Sequence, residues 1–147
     1  MGDRPTDDEC IFCGIVREDI PARVVTTTEH TVAFLDANPL AAGHTLVVPR
    51  GHYATVGELP TDVRDALFVQ LGRLAPAIET AVDADASNIG FNNGPESGQE
   101  IPHVHGHVIP RFAGDGGRAL HAVGGMRPEL TDEELDELAS AIEAVIT

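Results

Sequence analysis

A run of three histidines at alternate positions constrains the fold of this chain more than any other feature. Residues 103–107 read His-Val-His-Gly-His. Every second side chain of a β-strand points to the same face, so this spacing predicts a strand that ends at Pro110 and carries three imidazoles on one face. Imidazoles fill a core poorly but suit a site that holds a phosphate, a metal or a reacting group. The run therefore predicts a functional site on this strand.

The hydrophobic patterns around this run predict an α+β fold. β-branched segments bounded by turn residues predict strands, and the first two of them form a hairpin. The predicted strands are residues 23–28, 31–36, 44–49 and 87–92, followed by the histidine strand. We expect an antiparallel sheet of about five strands with helices packed on it.

The helices are predicted from apolar spacing and capping residues. Residues 10–16 predict a short turn or helix, and apolar residues at helical spacing predict a longer helix over 61–78 that Pro76 kinks or divides. Thr131 and Glu134 predict the capping box of a C-terminal helix. We expect one domain over residues 10–147 after a disordered acidic segment at 1–9.

The charge of the chain is strongly negative. It has 24 acidic residues and nine basic ones, all arginine, for a net charge of -15. This composition is typical either of an ordinary acidic cytosolic protein or of one adapted to a very salty cytoplasm, where screening weakens self-repulsion. The lack of a basic patch argues against a nucleic-acid partner.

The remaining composition bears on localisation. No apolar run reaches the roughly 20 residues of a membrane span, which argues against a membrane partner. The polar, acidic N-terminal segment does not resemble a secretory signal. These observations predict a cytoplasmic protein.

The two cysteines are spaced as Cys10-x-x-Cys13, and the spacing allows three interpretations. A redox pair is expected beside a strand–helix unit of the thioredoxin type. A structural disulfide is not expected in a reducing cytoplasm. Half of a zinc site requires two more ligands from elsewhere in the chain.

The histidine run has two functional interpretations of its own. The three imidazoles could bind a catalytic zinc that keeps one open position. Alternatively, one imidazole is a nucleophile on phosphorus while the others orient and stabilise the phosphate, because neutral histidine is nucleophilic near pH 7.

Several segments together resemble the histidine-triad family of nucleotide hydrolases and transferases. They are spread over about residues 10–112, which is most of the chain, in the order in which the family has them. The segments are Cys10–Val16, Ile20–Val24, Phe34–His52, Asn92–Gln99 and His103–Ile109. The resemblance implies the histidine-triad fold and a small-molecule nucleotide substrate.

The resemblance also implies roles for individual residues. His105 matches the nucleophile that attacks the α-phosphate and becomes a nucleotidyl-histidine. His107 and His44 match imidazoles that bind the phosphate or hold the nucleophile. The other matching positions contact the substrate: Asn92 and Gln99 at the phosphate, Asp36 at the ribose hydroxyls, and Phe12, Phe34 and Leu35 around the base.

A subset of the family carries a structural zinc, and its ligand positions match Cys10, Cys13, His52 and His103. This set is a complete tetrahedral shell, so the zinc would not be needed for the chemistry. The family further implies a homodimer, with residues 61–75 and neighbouring strands at its interface.

The implied activity is that of a nucleoside phosphoramidase or a dinucleoside-polyphosphate hydrolase. Glu100 stands where phosphoramidase-type members often have Ser or Thr, and Gly106 replaces a bulkier residue, which predicts looser packing behind the triad. Two alternatives remain: a nucleotide-binding regulatory module with negligible turnover, and a zinc-water hydrolase that uses the triad as metal ligands.

Overall fold

A computed structural model describes residues 4–146 of the chain. Within them an α+β arrangement of five strands and three α-helices is present. The helices are α1 (Ile11–Val16), α2 (Thr61–Val82) and α3 (Asp132–Val145). The strands are β1 (Val24–Thr27), β2 (Thr31–Leu35), β3 (Thr45–Pro49), β4 (Ala86–Phe91) and β5 (Gly106–Arg111).

The five strands form one sheet in the order β1-β2-β3-β5-β4. Every neighbouring pair is antiparallel, including the predicted β1–β2 hairpin. The predicted fold class is therefore confirmed. β3 and β5 are neighbours although α2 and β4 lie between them in the sequence, so the chain crosses over to bring the histidine segment beside the centre of the sheet.

Two apolar clusters cover the two faces of the sheet. On one face, Ala33, Val47 and Val108 pack against buried leucines of α2. On the other face, residues of opposite parity from β2 and β3 pack against α1, among them Phe34 and Leu46. Both faces of β2 and β3 are thus buried, which explains why their sequences are almost continuously apolar.

The sequence predicts that Pro76 kinks or divides helix α2; it does not divide it, because α2 is continuous from Thr61 to Val82. Pro76 lies inside the helix and removes the N–H that would bond to the carbonyl of Gly72. Both residues lie on the exposed side of α2, where water can satisfy that carbonyl. The buried side carries the apolar stripe that packs on the sheet.

Strand β5 is shorter than predicted because it begins at Gly106. His103 and His105 therefore precede the strand instead of lying within it. The Val104 N–H donates to the carbonyl of Tyr53 (2.8 Å), so the backbone leaves the sheet ladder at this point.

The N-terminal segment makes hydrogen bonds with the rest of the fold. Residues 1–3 lie outside the described residues. In the described part, Arg4 donates to the carbonyl of Glu29 (2.8 Å) and the carbonyl of Pro5 accepts the N–H of His52 (2.7 Å). These bonds hold residues 4 and 5 in this structure, where the sequence predicts disorder over 1–9.

The chain divides into two compact units, one up to Gly117 and one from Arg118 onward. A single domain over 10–147 stays a prediction. In the second unit, α3 begins with the predicted capping box: the Glu134 N–H donates to Thr131 Oγ1 (3.2 Å) and the Thr131 N–H to Glu134 Oε2 (2.8 Å). Among residues 4–146, no helix combines the length and apolarity that crossing a bilayer requires.

Candidate active site and metal cluster

Two cysteines and two histidines from distant parts of the sequence meet at the start of α1. Cys10 caps α1 and Cys13 lies within it, while His52 follows β3 and His103 precedes β5. His103 Nδ1 lies 3.4 Å from Cys10 Sγ and 3.6 Å from Cys13 Sγ. Cys13 Sγ lies 3.4 Å from His52 Nδ1, and the four ligand atoms lie within 4.8 Å of one another.

These distances fit a tetrahedral zinc ion. Zinc–sulfur bonds of about 2.3 Å and zinc–nitrogen bonds of about 2.05 Å give a sulfur–nitrogen edge of about 3.5 Å at the tetrahedral angle. Three of the four sulfur–nitrogen edges, Cys10–His103, Cys13–His52 and Cys13–His103, are 3.4 to 3.6 Å long. The cluster therefore has the ligand types and the spacing of a closed structural zinc site.

A hydrogen bond to a backbone carbonyl outside the cluster fixes His103 in the tautomer that a metal ligand needs. Its Nε2–H donates to the carbonyl of Pro49 (3.0 Å), which leaves the lone pair of Nδ1 directed at the sulfurs. Burial lowers the pKa of His103 to about 4, so the ring is neutral as a ligand must be. Burial also raises the pKa of the Cys10 thiol, and a bound cation would offset this effect by stabilising the thiolate.

A second group of side chains lies at the start of β3 and the start of β5, where a chain of hydrogen bonds fixes the tautomers of two histidines. The Leu40 N–H donates to His44 Nδ1 (3.1 Å), so the proton of His44 is on Nε2. His44 Nε2 lies 2.9 Å from His107 Nδ1 and donates to it. His107 therefore carries its own proton on Nε2.

His107 Nε2 is the atom that the protein leaves without a partner. Among residues 4–146, it is a buried side-chain nitrogen with no hydrogen bond. Buried N–H groups are nearly always paired, so this donor indicates a ligand that supplies the acceptor. Burial, followed by the nearby His105 and His44, lowers the pKa of His107 to about 4, which keeps the ring neutral.

His105 is held in the opposite tautomer. Its Nδ1 donates to the carbonyl of His103 (2.7 Å), so Nε2 carries a free lone pair. The ring centroids of His105 and His107 are 5.0 Å apart. The site thus places a nucleophilic nitrogen beside an unpaired donor, which is the combination that attack on a phosphate requires.

The hydrogen bonds argue against a metal in this second group. Asp36, His44 and His107 also bring ligand atoms within 4.8 Å of one another. However, the Leu40 N–H forces the proton of His44 onto Nε2, the atom that faces the group, and a protonated nitrogen cannot coordinate a cation. Within the described residues, two groups of side chains are close enough to bind a metal ion, and neither contains His105. The geometry therefore does not bring the three triad imidazoles to one metal.

Asp36 has two contacts at the end of β2. Its Oδ1 accepts the N–H of Asn38 (2.9 Å), which caps the turn before Pro39. Its Oδ2 lies 3.6 Å from His44 Nε2, which connects the carboxylate electrostatically to the histidine pair. The carboxylate is about one-fifth exposed, so its remaining acceptor positions are accessible to a ligand.

The three predicted base-pocket residues differ in exposure. Phe12 and Phe34 are buried and pack edge to face with centroids 5.5 Å apart, while Leu35 is partly exposed. The Phe12 ring also contacts the rings of His105 (5.0 Å) and His103 (5.8 Å) edge to face. Phe12 therefore packs against both histidine groups, and its contact with a base stays a prediction.

The two predicted amides have different surroundings. Asn92 follows β4 and is exposed. Gln99 is already hydrogen-bonded to backbone: its Oε1 accepts the Gly94 N–H (2.7 Å), and its Nε2 donates to the carbonyls of Ala54 (2.8 Å) and Ile101 (3.0 Å). Donation from Gln99 to a phosphate stays a prediction, and it requires Nε2 to release one of these carbonyls.

Sequence reasoning missed the backbone groups that orient the site. The Leu40 N–H and the carbonyls of Pro49 and His103 set the tautomers of His44, His103 and His105, respectively. Every residue carries such groups, so no residue type in the sequence marks them. Pro39, immediately before Leu40, is the nearest signal, since it indicates a turn.

Comparisons with known proteins agree with this arrangement. The model of the HIT domain family matches residues 17–114. An uncharacterized HIT-like protein of Methanocaldococcus jannaschii is 47% identical over 107 residues, which are 73% of this chain and 82% of that protein. An adenosine 5′-monophosphoramidase of Saccharomyces cerevisiae is 36% identical over 105 residues, 71% of this chain and 64% of that protein. An adenylylsulfatase of Arabidopsis thaliana is 38% identical over 104 residues, 71% of this chain and 53% of that protein.

Solved structures of similar chains have the same fold. A HIT family protein of Bacillus subtilis superimposes with a TM-score of 0.84 at 31% identity, covering 95% of this chain and 99% of that one. A zinc-bound histidine-triad family protein of Mycobacterium smegmatis has a TM-score of 0.70 at 31% identity, covering 90% of this chain and 97% of that one. The chain therefore belongs to the HIT, or histidine-triad, family.

Proposed function

We propose that this protein is a hydrolase or transferase that cleaves a nucleotide at its α-phosphate through a covalent nucleotidyl-histidine on His105. One observation carries the proposal: the rings of His105 and His107 are neighbours with centroids 5.0 Å apart, and they carry a free lone pair on His105 Nε2 and a buried, unpaired N–H on His107 Nε2. A metal site would offer lone pairs only, and a structural cluster would leave no donor unpaired. A tetrahedral phosphate accepts the N–H of His107 and offers phosphorus to the nucleophile.

The bonds around the two rings support each step of this reaction. Attack by His105 Nε2 forms a nitrogen–phosphorus bond and breaks the bond from phosphorus to the leaving group. The phosphorylated ring that results is cationic, and its Nδ1–H keeps its bond to the carbonyl of His103, which becomes stronger as the charge develops. The leaving group takes a proton from solvent. Water then attacks phosphorus, breaks the nitrogen–phosphorus bond and gives a proton back to solvent, which leaves His105 in its starting tautomer.

His44 orients His107 so that the Nε2–H of His107 is the hydrogen-bond donor to the phosphate. The Leu40 N–H and the His44–His107 bond hold the proton of His107 on Nε2 before substrate arrives. A donor that is oriented in advance costs no reorganisation when negative charge moves on the phosphate oxygens. We assign the ribose hydroxyls to Asp36, whose carboxylate can accept two hydrogen bonds from a diol.

The substrate class follows from the names of two relatives and from the chemistry of the site. The yeast relative is named an adenosine 5′-monophosphoramidase and the Arabidopsis relative an adenylylsulfatase. Both names describe an adenylyl group joined to a leaving group at its phosphate. We propose nucleoside phosphoramidates and dinucleoside polyphosphates as the two substrate classes to be tested first.

We propose a structural zinc at Cys10, Cys13, His52 and His103, with no part in the phosphate chemistry. The four ligand atoms fit a closed tetrahedral shell, and the similar Mycobacterium smegmatis protein is described as zinc-bound. The metal would attach α1 and the loop after β3 to the segment that carries His105.

We also propose a homodimer. Phe68 and Val69 are large apolar residues on the exposed side of α2, within the segment that the family resemblance assigns to an interface. In the second unit, α3 exposes Leu135, Leu138 and Ile142. Measurement of the molar mass in solution by light scattering tests this assembly, and a monomer at micromolar concentration contradicts it.

The charge supports one further proposal, adaptation to a salty environment; residence in the cytoplasm stays a prediction. A chain with net charge -15 and arginine as its sole strongly basic residue type tolerates its self-repulsion best where salt screens it. For the same reason we propose no nucleic-acid partner.

The decisive experiment detects the covalent intermediate. The protein is mixed in high salt with adenosine 5′-phosphoramidate or with a diadenosine polyphosphate, and intact mass spectrometry follows an adenylyl adduct while chromatography follows the released mononucleotide. We expect both with the native protein, neither with His105→Ala, and both with the control His121→Ala, which removes an exposed histidine. Turnover that survives in His105→Ala contradicts the mechanism. Tight nucleotide binding without adduct or product identifies a binding module instead.

A further inference from the structure

Gly106 stands between the proposed nucleophile His105 and its partner donor His107. It is the first residue of β5, and it is buried on the face of the sheet that α2 covers. Its missing side chain predicts loose packing behind the triad. That prediction is wrong, because a Cβ at Gly106 would lie 2.9 Å from Phe91 Cζ and 3.1 Å from Leu71 Cδ1.

The ring of Phe91 fills the place that a side chain at position 106 would take. Phe91 is the last residue of β4 and is the partner of Gly106 in the β4–β5 register. Its ring packs against the cluster under α2 and lies 5.1 Å, centroid to centroid, from the ring of Phe68 on α2. Phe68, Phe91 and Gly106 therefore form a continuous contact from the outer side of α2 to the catalytic segment.

We propose that Phe91 is a positioning residue for the reaction, which sets the depth at which the backbone of residues 105–107 lies against the sheet. The inference rests on the proposed function of His105. Glycine in a strand costs stability and is found where another group approaches the backbone closely. Here the approaching group is the Phe91 ring, so Gly106 and Phe91 act as a matched pair.

The position of this backbone matters because His105 and His107, the two proposed catalytic residues, flank Gly106 in it. His105 Nδ1 bonds to the carbonyl of His103 at 2.7 Å, and His107 Nδ1 bonds to His44 at 2.9 Å. A shift of Gly106 by a few tenths of an ångström turns both rings relative to each other. Attack on phosphorus depends steeply on such alignment, and a misplacement of about 1 Å costs about 100-fold in rate.

The test is a double-mutant cycle with Phe91→Ala, Gly106→Val and the combined variant. We expect each single variant to lower kcat about 10- to 100-fold with little change in KM, because binding groups remain while alignment is lost. In the combined variant the valine occupies the space left by the ring, so we expect kcat to recover at least tenfold over either single variant. Gly72→Ala is the matched control, since a Cβ at the exposed Gly72 meets nothing within 4 Å.

A second measurement is independent of turnover. Nitrogen-15 NMR titration of the imidazoles reports the tautomers of His105 and His107 directly, and thermal unfolding reports stability. We expect the two single variants to shift the His105 and His107 resonances and the combined variant to restore them. Single variants that only lower Tm, with kcat and imidazole spectra unchanged, overturn the inference, as do effects on kcat that simply add in the combined variant.

The two proposals fail in different ways. If the native protein forms no adduct and releases no product, the proposed function is wrong, while the imidazole spectra still decide whether Phe91 positions the two rings. If the native protein is active and the variants behave additively, only the inference about Phe91 is wrong.

Discussion

His107 links the stability of this protein to pH, because its half-buried ring cannot take a second proton without losing a hydrogen bond. Nδ1 accepts the N–H of His44 at 2.9 Å, and Nε2 already carries a proton. Burial, with smaller effects from His105 and His44, lowers the pKa of the folded ring from 6.5 to about 4. The unfolded chain has no such restraint and takes up the proton near its ordinary pKa.

The direction and size of the effect follow from this difference. A histidine whose pKa is lowered on folding destabilises the protein in acid, so stability is intact above pH 6.5 and falls as the pH approaches 4. At pH 5 the unfolded ring is almost fully protonated and the folded ring is mostly neutral, which amounts to about 2 kcal/mol. Since the ring is partly exposed, solvent screening reduces the expected effect to about 1 kcal/mol.

The assay compares urea unfolding of the native protein and His107→Gln at about pH 7.5 and pH 5. The many carboxylates titrate in both proteins and cancel in the comparison, and glutamine keeps an acceptor for His44. We expect the native protein to lose about 1 kcal/mol more than His107→Gln between these pH values. His121→Gln, at an exposed histidine, should keep the pH dependence of the native protein. An equal loss in the native protein and His107→Gln refutes the reasoning.

Four further predictions test other parts of the site. Leu40→Pro removes the N–H that fixes the tautomer of His44, so steady-state kinetics should show a lower kcat with little change in KM. Leu40→Ala is the control and should leave both constants unchanged, because the Leu40 side chain is exposed. His44→Gln retains a side-chain N–H for His107 and should keep about tenfold more activity than His44→Ala. Cys13→Ser should abolish stoichiometric zinc in elemental analysis and lower Tm. Native Tm should rise with KCl concentration between about 0.1 and 2 M, as screening relieves self-repulsion.

The alternation of histidines predicts which face their side chains take, but not where pairing begins. Three histidines at alternate positions predict one continuous strand, but His103 and His105 precede β5, which starts only at Gly106. The departure from the sheet depends on the Val104 N–H, which bonds to Tyr53. Pairing of one backbone group with another is not encoded by residue type, so no pattern in the sequence could predict this boundary.

The family resemblance predicts that Cys10, Cys13, His52 and His103 come together, and their ligand atoms do lie within 4.8 Å of one another. Gln99 shows the opposite case. An amide suits a phosphate and a backbone carbonyl equally well, and here it bonds to the backbone at residues 54, 94 and 101. Residue type alone predicts what a side chain can do, and the surrounding backbone decides which of these contacts it makes.

His103 belongs to both groups of the site, since its ring lies among the two cysteines while its carbonyl holds the proton of His105. One peptide unit therefore connects the proposed zinc site with the proposed phosphate site. If metal binding changes the affinity of the protein for a nucleotide, nucleotide binding changes its affinity for the metal by the same factor. Zinc affinity measured with and without a bound nucleotide is consequently a measure of the coupling that this peptide unit carries between the two sites.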